Sequence, residues 1–474
     1  MSRAIRPDYA QLLLLPPSID DWVPKEHPVR LVRDVVDSLD LAALGLREFT
    51  DGEVGRPHYA PDLLLKVWLF GWMERVRSSR ALERACMRDV AFIWLTGNLH
   101  PDHNTLWRFF RDNKAAFRKL FKLIVKLAVK AELVGFALHA LDGTKIGSAS
   151  SMDTAQHRKV LQERLKKLDR IVDESIAATT EAERSEQGSY ALPEGLRDAQ
   201  ARKKKVTELL AELDEAETSH RHRQDPQARV MKTRKGMILG FNAQAVVDAT
   251  SDLVLAAEVS GDETDHALLV PMLDQVRENA GKNAEQSVAD AGYWGGGQIA
   301  EAERRHLPVI VNEQAEPSAK GELSKSNFVY DAQRNGYVCP RGEFLALEAV
   351  AKPTTGRPYA RSIYRCRNAT CPVRSSCTTD KKGRSIKRSE HAEALERNAE
   401  KLRDARMLAL LHKRKSIVEH IFALAKTIDS FCRFSVRGID GVRAQWALVC
   451  TAINMRKLHA FWLAQRFLVA PAAA

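Results

Sequence analysis

No long apolar stretch occurs anywhere in the chain. The start, MSRAIRPDYAQLLLLPP, offers only Leu12–Leu15 before Pro16 and Pro17. That run is far short of the ~20 apolar residues of a spanning helix and too short for a signal peptide. A cytoplasmic protein without a membrane partner is expected. Cysteine is scarce, seven residues in 474, and none are spaced Cys-x2-Cys. In a reducing compartment these are expected to be free thiols or metal ligands rather than disulfides. An acidic surplus is missing too. Lys and Arg number 73 against 61 Asp and Glu, a net charge of +12. A basic surplus of this size favours a polyanionic partner, and nucleic acid is the commonest one. The length allows two to four domains, each with its own core.

What is present centres on Phe136–Ser148, FALHALDGTKIGS. Phe136, Leu138, Ala140 and Leu141 favour a strand, and Asp142-Gly143 is expected to end it, placing a carboxylate at the rim of a sheet. Asp-Gly also makes ordinary hairpins. A second strand-like run ends the same way at Asp290 (SVADAGY), and a third carboxylate, Glu419, lies in a basic helix, KRKSIVEHIFALAK. Three separated carboxylates, two on strand ends and one on a helix, suit a pair of divalent metals acting on phosphate.

Residues 1–135 read as mostly helical. Pro61-Asp62 opens an amphipathic run, a helix spans about Ser79–Arg88, and another starts at His103 and continues apolar through Leu127. Arg108 and Arg111, near the start of that helix, fit a helix-turn-helix that contacts DNA. The same string also fits a plain bundle with Trp107, Phe109 and Phe110 in its core. Residues 149–228 are rich in Glu, Lys, Arg and Ala. Leu161, Leu165, Leu168 and Val172, then Val206, Leu210 and Leu213, predict an inserted helical hairpin or coiled coil broken near Gly188–Gly195.

Residues 229–313 alternate strands with helices. Met237–Asp248, Leu253–Val259, the run to Asp290 and Val309–Val311 read as strands, with helices at His266–Asn279 and near Gln298–Arg305. With Phe136–Leu141 first, the order is β-(insert)-β-β-α-β-α-β, an α/β sheet flanked by helices. Residues 314–400 read as a loop-rich insertion holding Cys339, Cys366, Cys371 and Cys377, candidates for one structural zinc or four unrelated thiols. Residues 401–467 read as C-terminal helices that pack on this sheet.

This order resembles the ribonuclease H-like fold of DDE transposases and retroviral-type integrases. The strings LLPPSIDDWVPKEHPVR, GRPHYAPDLLLKVWLFGW and LHPDHNTLWRFFRDN are similar to the N-terminal region of bacterial insertion-sequence transposases. DGTKI at Asp142, ADAGY at Asp290 and VEHIFALAK at Glu419 resemble that family's DDE motifs, and the four-cysteine insert looks like one branch of it. The family's third motif, Tyr-x2-Arg-x3-Glu-x6-Lys, falls here on His412, Lys415, Glu419 and Lys426, with Arg414 one residue from the expected arginine.

The resemblance implies that Asp142, Asp290 and Glu419 hold two Mg²⁺ ions, for which Mn²⁺ can substitute. Lys426 would contact a phosphate near the scissile bond, although it also reads as a surface lysine. Arg414 and Lys415 would contact DNA. The partners implied are double-stranded DNA, both terminal inverted repeats and target, and at least a second copy of the chain to bring two ends together. Two other readings stay open at this point: a DNA-binding protein with a decayed active site, and a nuclease that cleaves without joining strands.

Overall fold

The computed structural model describes residues 18–46, 58–152, 156–184, 194–215, 220–222, 224–234, 236–314, 323–354, 359–428 and 430–469. Helices come first: α1 (Pro28–Asp37), α2 (Leu41–Leu44), α3 (Pro61–Met73), α4 (Ser79–Arg88), α5 (Val90–Thr96), α6 (His103–Asp112) and α7 (Lys114–Lys130). Each boundary has a local cause. Asp102 accepts hydrogen bonds from the Asn104 and Thr105 amides and caps α6, while Gly97 ends α5 in the left-handed region at φ 58°. The long helix expected from His103 onward is divided. Asn113 takes φ −116° and ψ 31°, and its side-chain amide donates to the Phe109 carbonyl, 2.8 Å, closing α6. Arg111 therefore lies in the last turn of α6 rather than near its start, paired with Asp112 at 2.7 Å. Phe109 and Phe110 are core, whereas Trp107 is 39% exposed.

The strands expected from sequence form one mixed sheet. Its members are β1 (Leu138–Gly147), β4 (Arg229–Thr233), β5 (Gly236–Asp248), β6 (Val254–Ser260), β7 (Gln286–Ala289) and β8 (Val309–Val311). A two-residue pair, β2 (Gln156–His157) and β3 (His220–Arg221), stands at the base of the inserted hairpin. β5 pairs antiparallel with β1, β4 and β6, while β1–β7 and β7–β8 are parallel. β4 was not expected; it lengthens the sheet beside the first residues of β5. Helices α10 (Leu269–Ala280) and α11 (Gly296–Arg304) connect the parallel strands, as parallel pairing requires.

The insertion is a helical hairpin of α8 (Arg158–Arg184) and α9 (Glu194–Glu215). Leu161 and Leu213 are buried, Leu168 packs on Val172 and Ala199, and Lys203 pairs with Asp169 at 2.7 Å across the helices. The Gly188–Pro193 part of the expected break lies outside the described residues.

Residues 323–401 are not loop-rich. They form an antiparallel sheet of β9 (Val329–Asp331), β10 (Gly336–Val338), β11 (Phe344–Ala351), β12 (Arg361–Arg365) and β13 (Ser385–Ser389), with a short α12 (Arg374–Cys377) and then α13 (Ala392–Lys401). The strands are short and their inward side chains aromatic, so periodicity hides them. Phe328, Tyr337, Leu345, Tyr364 and Ile386 make a small core of their own.

α14 (Ala405–Ala423) crosses the main sheet and passes into a π-helical turn at Leu424–Ile428. The last helix, α15 (Ile439–Val469), lies between α7 and α3 on one side and the sheet on the other. Asn454 on α15 donates to the Val254 carbonyl, 2.8 Å, and accepts from the Val254 amide, 2.9 Å. The N-terminal helices, the sheet and α15 share one continuous hydrophobic core, so the first 135 residues alone would leave a large apolar face in water.

Near the start of β1, His139 is fully buried beside the equally buried Asp248, 3.6 Å away, with neither ring nitrogen hydrogen-bonded. Asp248 is held by the amides of Gly135, Phe136, Thr250 and Ser251. Burial holds the His139 pKa below the ordinary value, with the Asp248 charge opposing it. The unfolded chain therefore binds the proton more readily. The stability tied to the neutral ring is complete above about pH 6.5 and is lost as pH falls below it. His139→Leu should flatten the acid limb of a pH–stability curve by about 2 kcal/mol at pH 5 relative to pH 7.5. Urea melts at the two pH values check this, and an unchanged slope would remove His139 as its source.

Candidate active site

β1 does not stop at Asp142. It runs on to Gly147, because β5 remains beside it through the Gly147–Gly240 pair. What stops is the neighbour on the other side. Leu141 pairs with Ala289, the last residue of β7, so the next residue of each strand is Asp142 and Asp290. The two carboxylates stand side by side where β7 ends. Only Asp290 is a strand-end residue, as expected; Asp142 is mid-strand.

Each carboxylate accepts from a backbone amide just after it in the chain. The Gly143 amide donates to Asp142 Oδ1, 2.7 Å, and the Gly292 amide to Asp290 Oδ1, 2.8 Å. Arg414 on α14 donates through Nη1 to Asp142 Oδ2, 2.5 Å. Burial pushes the Asp142 pKa up to about 6; Arg414 works against that shift and Asp290 adds to it. Asp290 is raised as well, first by burial, with Arg414 opposing. Two desolvated carboxylates next to each other form a site that gains strongly from added positive charge.

The residues expected on the third element divide. Lys426 reaches β1, and its Nζ donates to Thr144 Oγ1, 2.5 Å, two residues beyond Asp142 and on the same strand face. Glu419 is on the solvent side of α14, 3.9 Å from Lys415, and both are exposed. The faces of Glu419 and Lys426 part because the π turn from Leu424 has a wider repeat than the α-helix before it. Arg414, not Lys415, faces the acidic pair. His412 is exposed, and His420 lies 3.3 Å from Asp252 at the β5–β6 turn. Arg108 and Arg111 are exposed on α6.

Other residues join the site that the sequence did not single out. Asp265, in the turn before α10, accepts from Asn242 Nδ2 at 2.5 Å and from Gln244 Nε2 at 2.6 Å. The Tyr293 hydroxyl donates to Gln244 Oε1. Lys145 Nζ donates to the Glu263 carbonyl, 2.5 Å; burial lowers its pKa, while Asp265, Glu263, Asp290 and Asp142 hold the charge on. One signal was available. Asn242 and Gln244 alternate in an otherwise apolar strand, GFNAQAVV, and two buried amides on one face need a polar partner. Asp265, in GDETDH, carries no such mark.

In the small sheet, Cys339 Sγ accepts from the Arg341 and Glu343 amides, 3.3 Å each. Burial raises the Cys377 thiol, and the other three cysteines contribute to that rise. The four thiols are thus near one another. Among the described residues, no group of three or more His, Cys, Asp or Glu side chains is gathered as a metal-ligand set.

Comparison with known proteins adds two matches. Residues 338–459 match the family described as transposase DDE domain, and residues 17–112 match the transposase domain DUF772. No curated protein and no solved structure is matched. The first match contains Glu419, Lys426 and the four cysteines, and the second contains Arg108 and Arg111; neither reaches Asp142 or Asp290. No described helix is long and apolar enough to cross a membrane. These two family matches, in order along one chain, are consistent with an insertion-sequence DDE transposase.

Proposed function

We propose that the chain binds the ends of its own mobile element as double-stranded DNA, cleaves a strand at each end and joins the freed 3′ end to target DNA. The observation that carries this reading is the side-by-side placement of Asp142 and Asp290 one step beyond the Leu141–Ala289 pair. A sheet ordered β6-β5-β1-β7-β8, antiparallel up to β1 and parallel after it, supports a ribonuclease H-like core.

The donor pair fits Mg²⁺: two hard carboxylates, desolvated and adjacent, whose negative charge, among the described residues, only Arg414 offsets at contact distance. Asp142 and Asp290 would hold the metal. The resemblance assigns Glu419 the third acidic role. Bound metal supplies Lewis-acid stabilisation of the attacking and leaving oxygens in an in-line phosphodiester displacement. The chain's own part is to place the phosphate. Lys426, fixed to Thr144 beside Asp142, offers a cation to a phosphate oxygen near the scissile bond. Arg414 balances Asp142 until DNA and metal enter. Arg108 and Arg111 on α6 are assigned to duplex contacts, and the inserted hairpin to none. Joining two ends requires at least two protomers.

Incubating the full chain with its element ends and Mg²⁺ or Mn²⁺ tests this reading. Nicked and joined products are expected, and DNA bound but left intact would contradict it. The four-cysteine sheet should hold about one Zn²⁺ per chain, favoured by the paired amide donation to Cys339. Elemental analysis of protein purified without chelator checks this, and a value near zero in folded protein would make the four thiols ordinary.

A further inference from the structure

We propose that Asp265 is a further cation-binding residue of the active site, sharing one divalent cation with Asp290 on the side of Asp290 away from Asp142. This deepens the transposase reading above and rests on it.

Asp290 is the middle member of a row of three carboxylates. On one side is Asp142. On the other, a Cβ placed on Gly292 would stand 2.5 Å from Asp265 Oδ2 and 2.9 Å from Asp290 Oδ1. Glycine at 292 is what lets these two oxygens approach the same small volume. Asp265 is oriented for that approach. Its Oδ1 takes both amide donors, Asn242 Nδ2 and Gln244 Nε2, and Gln244 is itself held by Tyr293, which follows Asp290 by three residues. The other oxygen, Oδ2, is the one turned toward Asp290.

An acidic row alone would not make a site. The independent observation is Asn242, which is fully buried and whose Oδ1 has no hydrogen-bond partner. That oxygen and Asp265 Oδ1 each lie 3.0 Å from the point where a Gly143 Cβ would stand. A buried carbonyl oxygen without a donor is costly, and a cation beside Asp265 would satisfy it. The charge balance points the same way. Asp142, Asp290 and Asp265 together carry three negative charges, opposed nearby by Arg414 and Lys145, whose Nζ is engaged with the Glu263 carbonyl. Two carboxylates and an amide oxygen are the hard, oxygen-only ligands that Mg²⁺ or Mn²⁺ takes, with water completing the shell.

The test is Mn²⁺ binding to the full-length protein without DNA, followed by loss of the free-ion paramagnetic resonance signal and by thermal melts with and without Mn²⁺. Wild-type protein should bind Mn²⁺ saturably. Asp265→Asn should weaken the affinity at least tenfold and shrink the Mn²⁺-induced rise in melting temperature, with the metal-free melt and duplex binding retained. Wild-type affinity in that variant would overturn the assignment and leave the transposase reading standing. No saturable Mn²⁺ binding by wild-type protein would overturn both. Should Asp265→Asn lack a cooperative melt, Asp265→Glu keeps the charge and displaces it by one methylene. Mn²⁺ held at least threefold more weakly is then expected, and unchanged affinity would again overturn the assignment.

Discussion

Asp142→Ala and Asp290→Ala should each reduce strand cleavage by on the order of 10³-fold or more, about 4 kcal/mol of transition-state stabilisation. Duplex binding and folding should survive. The reasons are local. Both carboxylates are desolvated and adjacent, so each raises the cost of ionising the other, and burial outweighs Arg414 in setting the Asp142 pKa. Removing one relieves that strain in the metal-free protein while deleting a ligand. DNA affinity should hold because it comes mainly from phosphate contacts made by Lys and Arg elsewhere. Cleavage of labelled terminal-repeat duplex, measured beside thermal melts and filter binding, reads all three properties. A variant that cuts at near-normal rate would remove its residue from the site.

The second large effect is structural. Trp446 on α15 is fully buried, lies against Phe422 and Phe431 with ring centroids 6.4 Å from each, and donates its indole N–H to the Gln244 carbonyl, 2.8 Å. Trp446→Ala should cost about 3–5 kcal/mol, from lost apolar contact and a cavity under the central strand. It also frees the backbone at Gln244, whose side chain orients Asp265. Metal-dependent cleavage by the folded fraction should fall as well. Trp446→Phe keeps most of the volume, loses the donor and should cost only a minor part of that. Equal melting temperatures for Trp446→Ala and wild type would mean that the central strand does not depend on α15.

Five of the six strands of the main sheet were legible because each is a compact apolar or β-branched run between polar turns, whereas β4 was not. Val309–Val311 falls where expected, and the Asp290 strand ends one residue before the aspartate. Asp142 was singled out for a partly mistaken reason. Asp-Gly suggested a strand end, but pairing with β5 carries β1 past it, and pairing is a property of two strands that one string does not display. The division at Asn113 escaped because both sides are apolar at helical spacing. The motif spacing put Lys415 at the arginine position with Arg414 one residue away, and it is Arg414 that reaches Asp142, since helical phase relative to a sheet is fixed by tertiary packing. Glu419 shows the same limit, as its spacing to Lys426 implies a shared face only while the helix stays α. Asp265 was invisible because its surroundings, Asn242 and Gln244 on β5 and Gly292 after β7, are brought to it by two separate elements.

The central claim is that the Asp142–Asp290 pair is a divalent-metal site acting on DNA. Anomalous diffraction from crystals of the full chain, grown with terminal-repeat duplex and Mn²⁺, tests it most directly. Mn²⁺ peaks in contact with both carboxylates and beside a DNA phosphate are expected. Mn²⁺ bound elsewhere, with Arg414 still on Asp142 and the phosphate backbone distant, would contradict it.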